Sequence, residues 1–361
     1  MRSQSSSKRE YFKNFLSYYN FNSLEQKKYP VISGIFKEII PSLIEKEIKR
    51  IKNLDLPLSL RKKIEEYEKI GEREEFVWKW LYNVIQITTF SSVDKRYLTS
   101  LIDTKFSISM FVILIDDVSD QIKNSVNKKR FLKKLLQLSC NGSIKISKNF
   151  SRKEREYFYF SKKLWRFIRR NIKKYPRFKE FQELFDLDFN IILNSMKYAF
   201  LVNNNPYLIN EEEYWLHFPH SMQASIYATL DLMCSPGFDI KEVGLFRKII
   251  FFAQKMVRIG NWISTWEREV KEKDFTSGII AYAKDNGILT FYDLKKSPSR
   301  IIEKIHKAKI EKVFLKKWEK YYKKIKKLSS SVKSINIEEL LSGLKKLLIL
   351  EIISKEFFLI R

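Results

Sequence analysis

The chain has 361 residues, 44% hydrophobic and 15% aromatic, and 69 Lys+Arg against 42 Asp+Glu give a formal net charge of +27. That content fills one large core or two ordinary ones. Two cysteines, Cys140 and Cys234, leave no disulfide framework, and three histidines leave no histidine-rich metal centre.

Only 9 Gly and 8 Pro occur, and no stretch alternates polar with apolar residues between hairpin turns. The predicted fold class is all-α. In chain order, helices are predicted over about 9–20, 31–53, 58–70, 75–90, 96–123, 127–139, 151–172, 176–203, 210–233, 240–270, 275–286, 298–328 and 336–358. The N-terminus carries charge and serine without an apolar signal core. The longest apolar runs are broken by charge too soon to span a bilayer. The expectation is a cytoplasmic protein, monomeric or homodimeric. No break is long or polar enough to be a linker, so residues 75–361 are expected to form one helical domain, with 1–74 a helical extension packed on it. The positive charge is spread along the chain beside Ile, Asn, Phe and Tyr. Its densest run, "KKWEKYYKKIKK" (316–327), reads at helical spacing as a solvated face over buried Trp318, Tyr322 and Ile325. No nucleic-acid partner is expected, and the charge suits steering of an anionic small substrate.

Two segments carry chemistry. "FVILIDDVSD" (111–120) runs from apolar residues into Asp116, Asp117 and Asp120. Asp116 and Asp120 stand one helical turn apart, and carboxylates this close repel one another unless cations lie between them. Hard oxygen donors at this spacing suit Mg²⁺; they equally read as an acidic helix end in solvent. In "VRIGNWISTWEREVKEKDF" (257–275), Asn261, Thr265 and Glu269 recur every four residues, forming a stripe of amide, hydroxyl and carboxylate oxygens about 12 Å long. Arg268 sets a permanent cation beside it. The alternative is an ordinary polar face with Glu269–Lys273 and Glu267–Lys271 ion pairs.

Together the segments resemble the paired motifs of class I terpene synthases: an aspartate-rich DDxxD, then (N/D)Dxx(S/T)xxxE on a later helix. Here these are DDVSD (116–120) and NWISTWERE (261–269), with a basic residue before the final Glu. The resemblance implies a helical bundle around an apolar cavity. Three Mg²⁺ (Mn²⁺ can substitute) would be held by Asp116, Asp117, Asp120, Asn261, Thr265 and Glu269. They would bind a linear prenyl diphosphate, farnesyl or geranylgeranyl, whose ionisation gives a carbocation that cyclises or rearranges to a terpene. Phe111 and Ile115 are the candidate cavity walls. The sequence departs from the family in three places. Trp262 replaces the second acidic residue of the later motif. Residues 211–225 contain no Arg or Lys where a diphosphate-sensing Arg is usual, leaving His217 and His220, with His220 the candidate beside Arg268. Lys320-Tyr321 only echoes the family's C-terminal Arg-Tyr pair. The alternatives are prenyl-chain elongation, for which "LFDLDF" (184–189) is a poor second aspartate cluster, and a non-catalytic basic helical protein binding nucleic acid or an anionic surface.

Overall fold

Apolar residues recurring at helical spacing, with few glycines and prolines to interrupt them, give a chain of helices and no strand among the described residues. The computed structural model describes residues 19, 21–120, 126–139 and 144–355, without the side chains of Asp120, Val126 and Asn127. The predicted first helix and Cys140 therefore lie outside the described residues, apart from Tyr19. The α-helices are α1 (Ser23–Lys28), α2 (Pro30–Glu38), α3 (Pro41–Lys52), α4 (Leu58–Glu68), α5 (Glu75–Thr88), α6 (Lys95–Asp120), α7 (Val126–Gln137), α8 (Arg152–Ile172) and α9 (Phe178–Asn204). There follow α10 (Glu211–His217), α11 (Ala224–Met233), α12 (Val243–Glu272), α13 (Gly278–Asp285), α14 (Phe291–Leu294), α15 (Pro298–Lys307), α16 (Ile310–Leu328) and α17 (Ile337–Ile353).

Three predicted helices are divided. The 31–53 span breaks before Pro41, because the residue preceding a proline is pushed out of the helical region; Ile40 is extended at φ −115°, ψ 156°. The 210–233 span breaks at Pro219 into a 3₁₀ turn, Phe218–Met222, followed by Gln223 in the left-handed region at φ 63°. The 298–328 span breaks at Lys309, also left-handed at φ 52°.

Two long helices organise the bundle. α6 packs against α5, α8 and α9, while α12 packs against α11, α16 and α17. Contrary to the sequence reading, α6 is long and apolar enough to cross a bilayer by composition, since Asp103 and Lys105 are the only charges between Arg96 and Asp116. Most of that stretch is buried inside the bundle. Within it, Lys105 is 0% exposed and meets Asp231 of α11, 1% exposed, at 2.6 Å. Lys105 Nζ also donates to Thr89 Oγ1 at 3.0 Å.

Trp262, the departure from the second motif, belongs to the core. It is fully buried, edge-on to Trp215 and Phe314 at centroid distances of 5.1 and 5.7 Å. Its ring rests on Gly278, where a Cβ would lie 2.5 Å from two ring carbons. Gly278→Ala is therefore expected to lower unfolding free energy in a urea titration by about 1–3 kcal/mol, the usual cost of overpacking a rigid core.

The flank of α12 near its C-terminal end is tied down by charge. Lys355 lies 3.0 Å from Glu311 and 2.8 Å from Glu267, and Trp266 and Tyr19 also donate to Glu311. Burial alone would raise the pKa of Glu267, but hydrogen bonding to His306 and the charge of Lys355 outweigh it and hold the carboxyl down at about 2. A lowered carboxyl stabilises the fold above its unfolded pKa, and that stabilisation is lost as pH falls through the folded value. Glu267→Gln is thus expected to cost on the order of 2–3 kcal/mol at pH 6 and much less near pH 2, as measured by denaturant unfolding at the two pH values.

Candidate active site

The ends of α6 and α12 face one cavity of about 220 Å³. Asp116 reaches it from α6, and Asn261, Thr265, Arg268 and Glu269 reach it from α12. Asp116 and Glu269 stand within about one turn of the C-terminal ends of their helices, where the backbone dipole favours cations. α12 stops because Lys273 turns left-handed at φ 60°, with the Asp274 amide donating to the Glu269 carbonyl at 2.8 Å. That turn carries Asp274 and Thr276 back into the cavity wall.

The oxygen donors are preset. Thr265 Oγ1 lies 2.7 Å from Glu269 Oε1, while Glu269 Oε2 is buried with no hydrogen-bond partner. Burial pushes Glu269 up to about 7, and Asp274 adds to the shift against Arg258 and Arg268. Asp116 is partly open to the cavity (39% exposed) yet surrounded by protein elsewhere; burial raises its pKa, opposed by Arg73. Carboxylates this costly to ionise mark a place that a cation would stabilise. Among the described residues, no three His, Cys, Asp or Glu side chains converge closely enough to hold an ion by themselves. Amide, hydroxyl and water oxygens would have to complete any coordination shell, as hard divalent ions accept. Glu267 meets Lys355 and Glu269 turns inward, so the alternative of Glu267–Lys271 and Glu269–Lys273 surface pairs does not describe this face.

Four candidates stand elsewhere than expected. Asp117 points about 100° around α6 from Asp116. Its Oδ1 accepts from Arg73 Nε at 2.9 Å and Nη2 at 2.6 Å, and its Oδ2 from Tyr67 at 3.1 Å. It lines a separate cavity of about 390 Å³ that shares only Arg73 with the first. Because that larger space holds neither Asp116 nor the α12 oxygens, the smaller one is the candidate site. Phe111 and Ile115 are fully buried rather than cavity walls, Phe111 lying 5.7 Å from the Trp165 ring. The residues sharing a face with Asp116 lie three and four positions back, and Ile113 and Val112 do line the cavity. His220 does not line it either. Gln254 Oε1 accepts from the Ser225 amide, so its NH₂ donates to His220 Nδ1 at 3.0 Å, which requires a lone pair there. Burial also lowers the pKa of His220, so the ring is neutral.

The cations that reach the cavity are arginines. Arg258 donates to Asn261 Oδ1 at 2.8 Å and lies near Asp116 and Glu269; its place one turn before Asn261 is a spacing signal in the sequence. Arg268 Nη2 is 4.0 Å from Glu269. Arg73 comes from the connection between α4 and α5, 3.7 Å from Asp116, and no local pattern announces it. The "LFDLDF" aspartates take no part: Asp188 is bound by Thr229 and Arg247, and Asp186 pairs with Arg169. Side chains of 121–125 and of Asp120 lie outside the described residues.

Neither a model of any known protein family nor any curated protein sequence matches the chain. Solved structures do. Abietadiene synthase from Abies grandis superimposes with a TM-score of 0.54 at 11% identity, over 83% of this chain and 37% of that one. The fold is that of a class I terpene synthase. The chain thus spans little more than a third of the length of abietadiene synthase. Linalool/nerolidol synthase from Streptomyces clavuligerus aligns at 10% identity and TM-score 0.48, over 84% of this chain and 94% of that one.

Proposed function

We propose that the chain is a Mg²⁺-dependent terpene synthase that ionises a linear prenyl diphosphate and rearranges the resulting carbocation. The observation that carries this reading is the single cavity receiving Asp116 from one helix end and Asn261, Thr265 and Glu269 from another. These residues would hold the divalent ions, Glu269 through its unpartnered Oε2. Bound Mg²⁺ supplies positive charge that neutralises diphosphate oxygens as the allylic C–O bond breaks.

The remaining work falls to the protein. Arg258 and Arg268 offer planar donors suited to phosphate oxygens, and Arg73 reaches the same cavity from the connection between α4 and α5. They take the part the sequence reading gave to His220. Behind them, Phe76, Val77, Trp80, Leu81, Val112 and Ile113 line an apolar flank that excludes water from a cation, and the Trp80 face can stabilise positive charge. With the "LFDLDF" carboxylates committed elsewhere, no second acidic cluster among the described residues supports chain elongation.

The test is incubation with geranyl, farnesyl and geranylgeranyl diphosphate, with and without Mg²⁺, followed by diphosphate assay and mass analysis of extracted products. Mg²⁺-dependent diphosphate release with a terpene product is expected from at least one substrate. No release from any of the three rejects the function.

A further inference from the structure

One carboxyl in the cavity wall belongs to neither set of oxygen ligands. Glu351 projects from α17, is 3% exposed and lines the cavity. Its close approach to α12 depends on Gly260, where a Cβ would lie 3.2 Å from Glu351 Cγ. Glu351 Oε2 lies 2.9 Å from Ser264 Oγ, and the same hydroxyl lies 2.9 Å from the Asn261 carbonyl. Ser264 stands five residues before Glu269, about 7.5 Å back along α12 from the helix end. The other acids of this wall outside the ligand sets, Glu74 and Asp274, sit on connecting segments beside helix ends.

Ser264 has one hydroxyl hydrogen for two acceptors, and that arithmetic gives the pair two complete states. With Glu351 ionised, the hydrogen goes to its carboxylate. With Glu351 protonated, the carboxyl donates to Ser264 Oγ, and the hydroxyl hydrogen turns to the Asn261 carbonyl. Either way the Glu351–Ser264 contact keeps its hydrogen bond. A buried carboxyl is ordinarily satisfied in one protonation state and penalised in the other; this one is provided for in both.

We propose that Glu351 is the proton acceptor that ends the reaction. The C–H electron pair on the carbon next to the final cation becomes the π pair of the new alkene, and the proton moves to Glu351. It passes to water when the product leaves. This rests on the reading that the cavity ionises a prenyl diphosphate. Burial lifts the Glu351 carboxyl to about 7, moderated by the Ser264 hydrogen bond and the Arg258 charge, so the proton is held and then returned at neutral pH.

The readout is the ratio of olefin formed to diphosphate released, in H₂¹⁸O, for the full chain with Mg²⁺ and whichever substrate it consumes. Glu351→Gln, near in shape but unable to accept the proton, is expected to lower that ratio about tenfold or more. Alcohol carrying solvent oxygen should make up the difference. Glu351→Asp should recover much of the ratio, and Ser264→Ala, which removes the exchanging hydroxyl, should lower it severalfold. An unchanged ratio in both Glu351→Gln and Ser264→Ala overturns the assignment, even where olefin and diphosphate fall together. A wild-type product that already carries solvent oxygen overturns it as well. Absence of diphosphate release by the wild type is a different result, which removes the terpene synthase reading and this one with it.

Discussion

Glu269→Gln is expected to lower turnover by about 10²–10³-fold while leaving the fold intact. Glu269 lines the cavity and its Oε2 has no protein partner, so the change removes a charge aimed into the cavity rather than one holding helices together. The amide keeps the side chain's shape and can still meet Thr265, whose hydroxyl also lies 2.7 Å from the Asn261 carbonyl of its own helix. Asp116→Asn should act similarly from the end of α6, where the carboxylate is partly open to the cavity. The check is diphosphate release at saturating substrate, beside circular dichroism and the urea midpoint. Activity close to wild type in either variant would remove that residue from the metal-binding set. A matching fall in the urea midpoint would mean that the carboxylate serves the fold instead.

Lys105→Ala is expected to cost about 3–5 kcal/mol of stability, the largest effect anticipated away from the cavity. The pair it breaks is almost wholly enclosed, with Nζ 2.6 Å from Asp231 Oδ1. Burial pulls Lys105 down and pushes Asp231 up to about 6, each opposed by the charge of the other. Losing the lysine leaves a buried carboxylate without its counter-ion. Replacing both residues together, Lys105→Met with Asp231→Leu, should cost much less, because no charge is stranded. Urea titrations of the wild type, Lys105→Met, Asp231→Leu and the double variant form the double-mutant cycle that measures the difference. A double variant as unstable as the sum of the singles would show that the two residues act independently.

The cavity-facing oxygens of α12 were legible in sequence because they sit inside a single helix, where spacing fixes facing. Asn261, Thr265 and Glu269 repeat every four residues and do share a wall. The same rule, applied strictly, separates Asp116 from its neighbours: Val112 and Ile113 follow it into the cavity, whereas Phe111 and Ile115 turn to the core. Choosing wall residues by being apolar and nearby, rather than by helical angle, selected the wrong pair. Asp117 illustrates the limit of a motif, since one step along the helix hands it to Arg73 and Tyr67. His220 was judged by position alone; its protonation depends on which way Gln254 faces, and that is set by Ser225 across a helix break. Arg73 and Glu351 enter from connections and helices distant in the chain, and nothing local marks them. The helix count erred where a single residue, Ile40 or Lys309, leaves the helical region between two good helical runs.

The Arg73–Asp117–Tyr67 contact gives the start of the chain a second meaning. A boundary drawn at 74/75 would pass through the cavity wall, because Arg73 lies on one side of it and Asp116 and Asp117 on the other. Tyr67 is completely buried against Trp78, and Gly71 has no side chain only because the Tyr67 ring fills that space. The segment is therefore not interchangeable packaging. Grafting the corresponding piece of another protein of this fold in front of residue 75 would exchange a charge beside the cavity as well as a packing surface, so chimaeras joined there should differ in affinity for an anionic ligand even when they fold equally well.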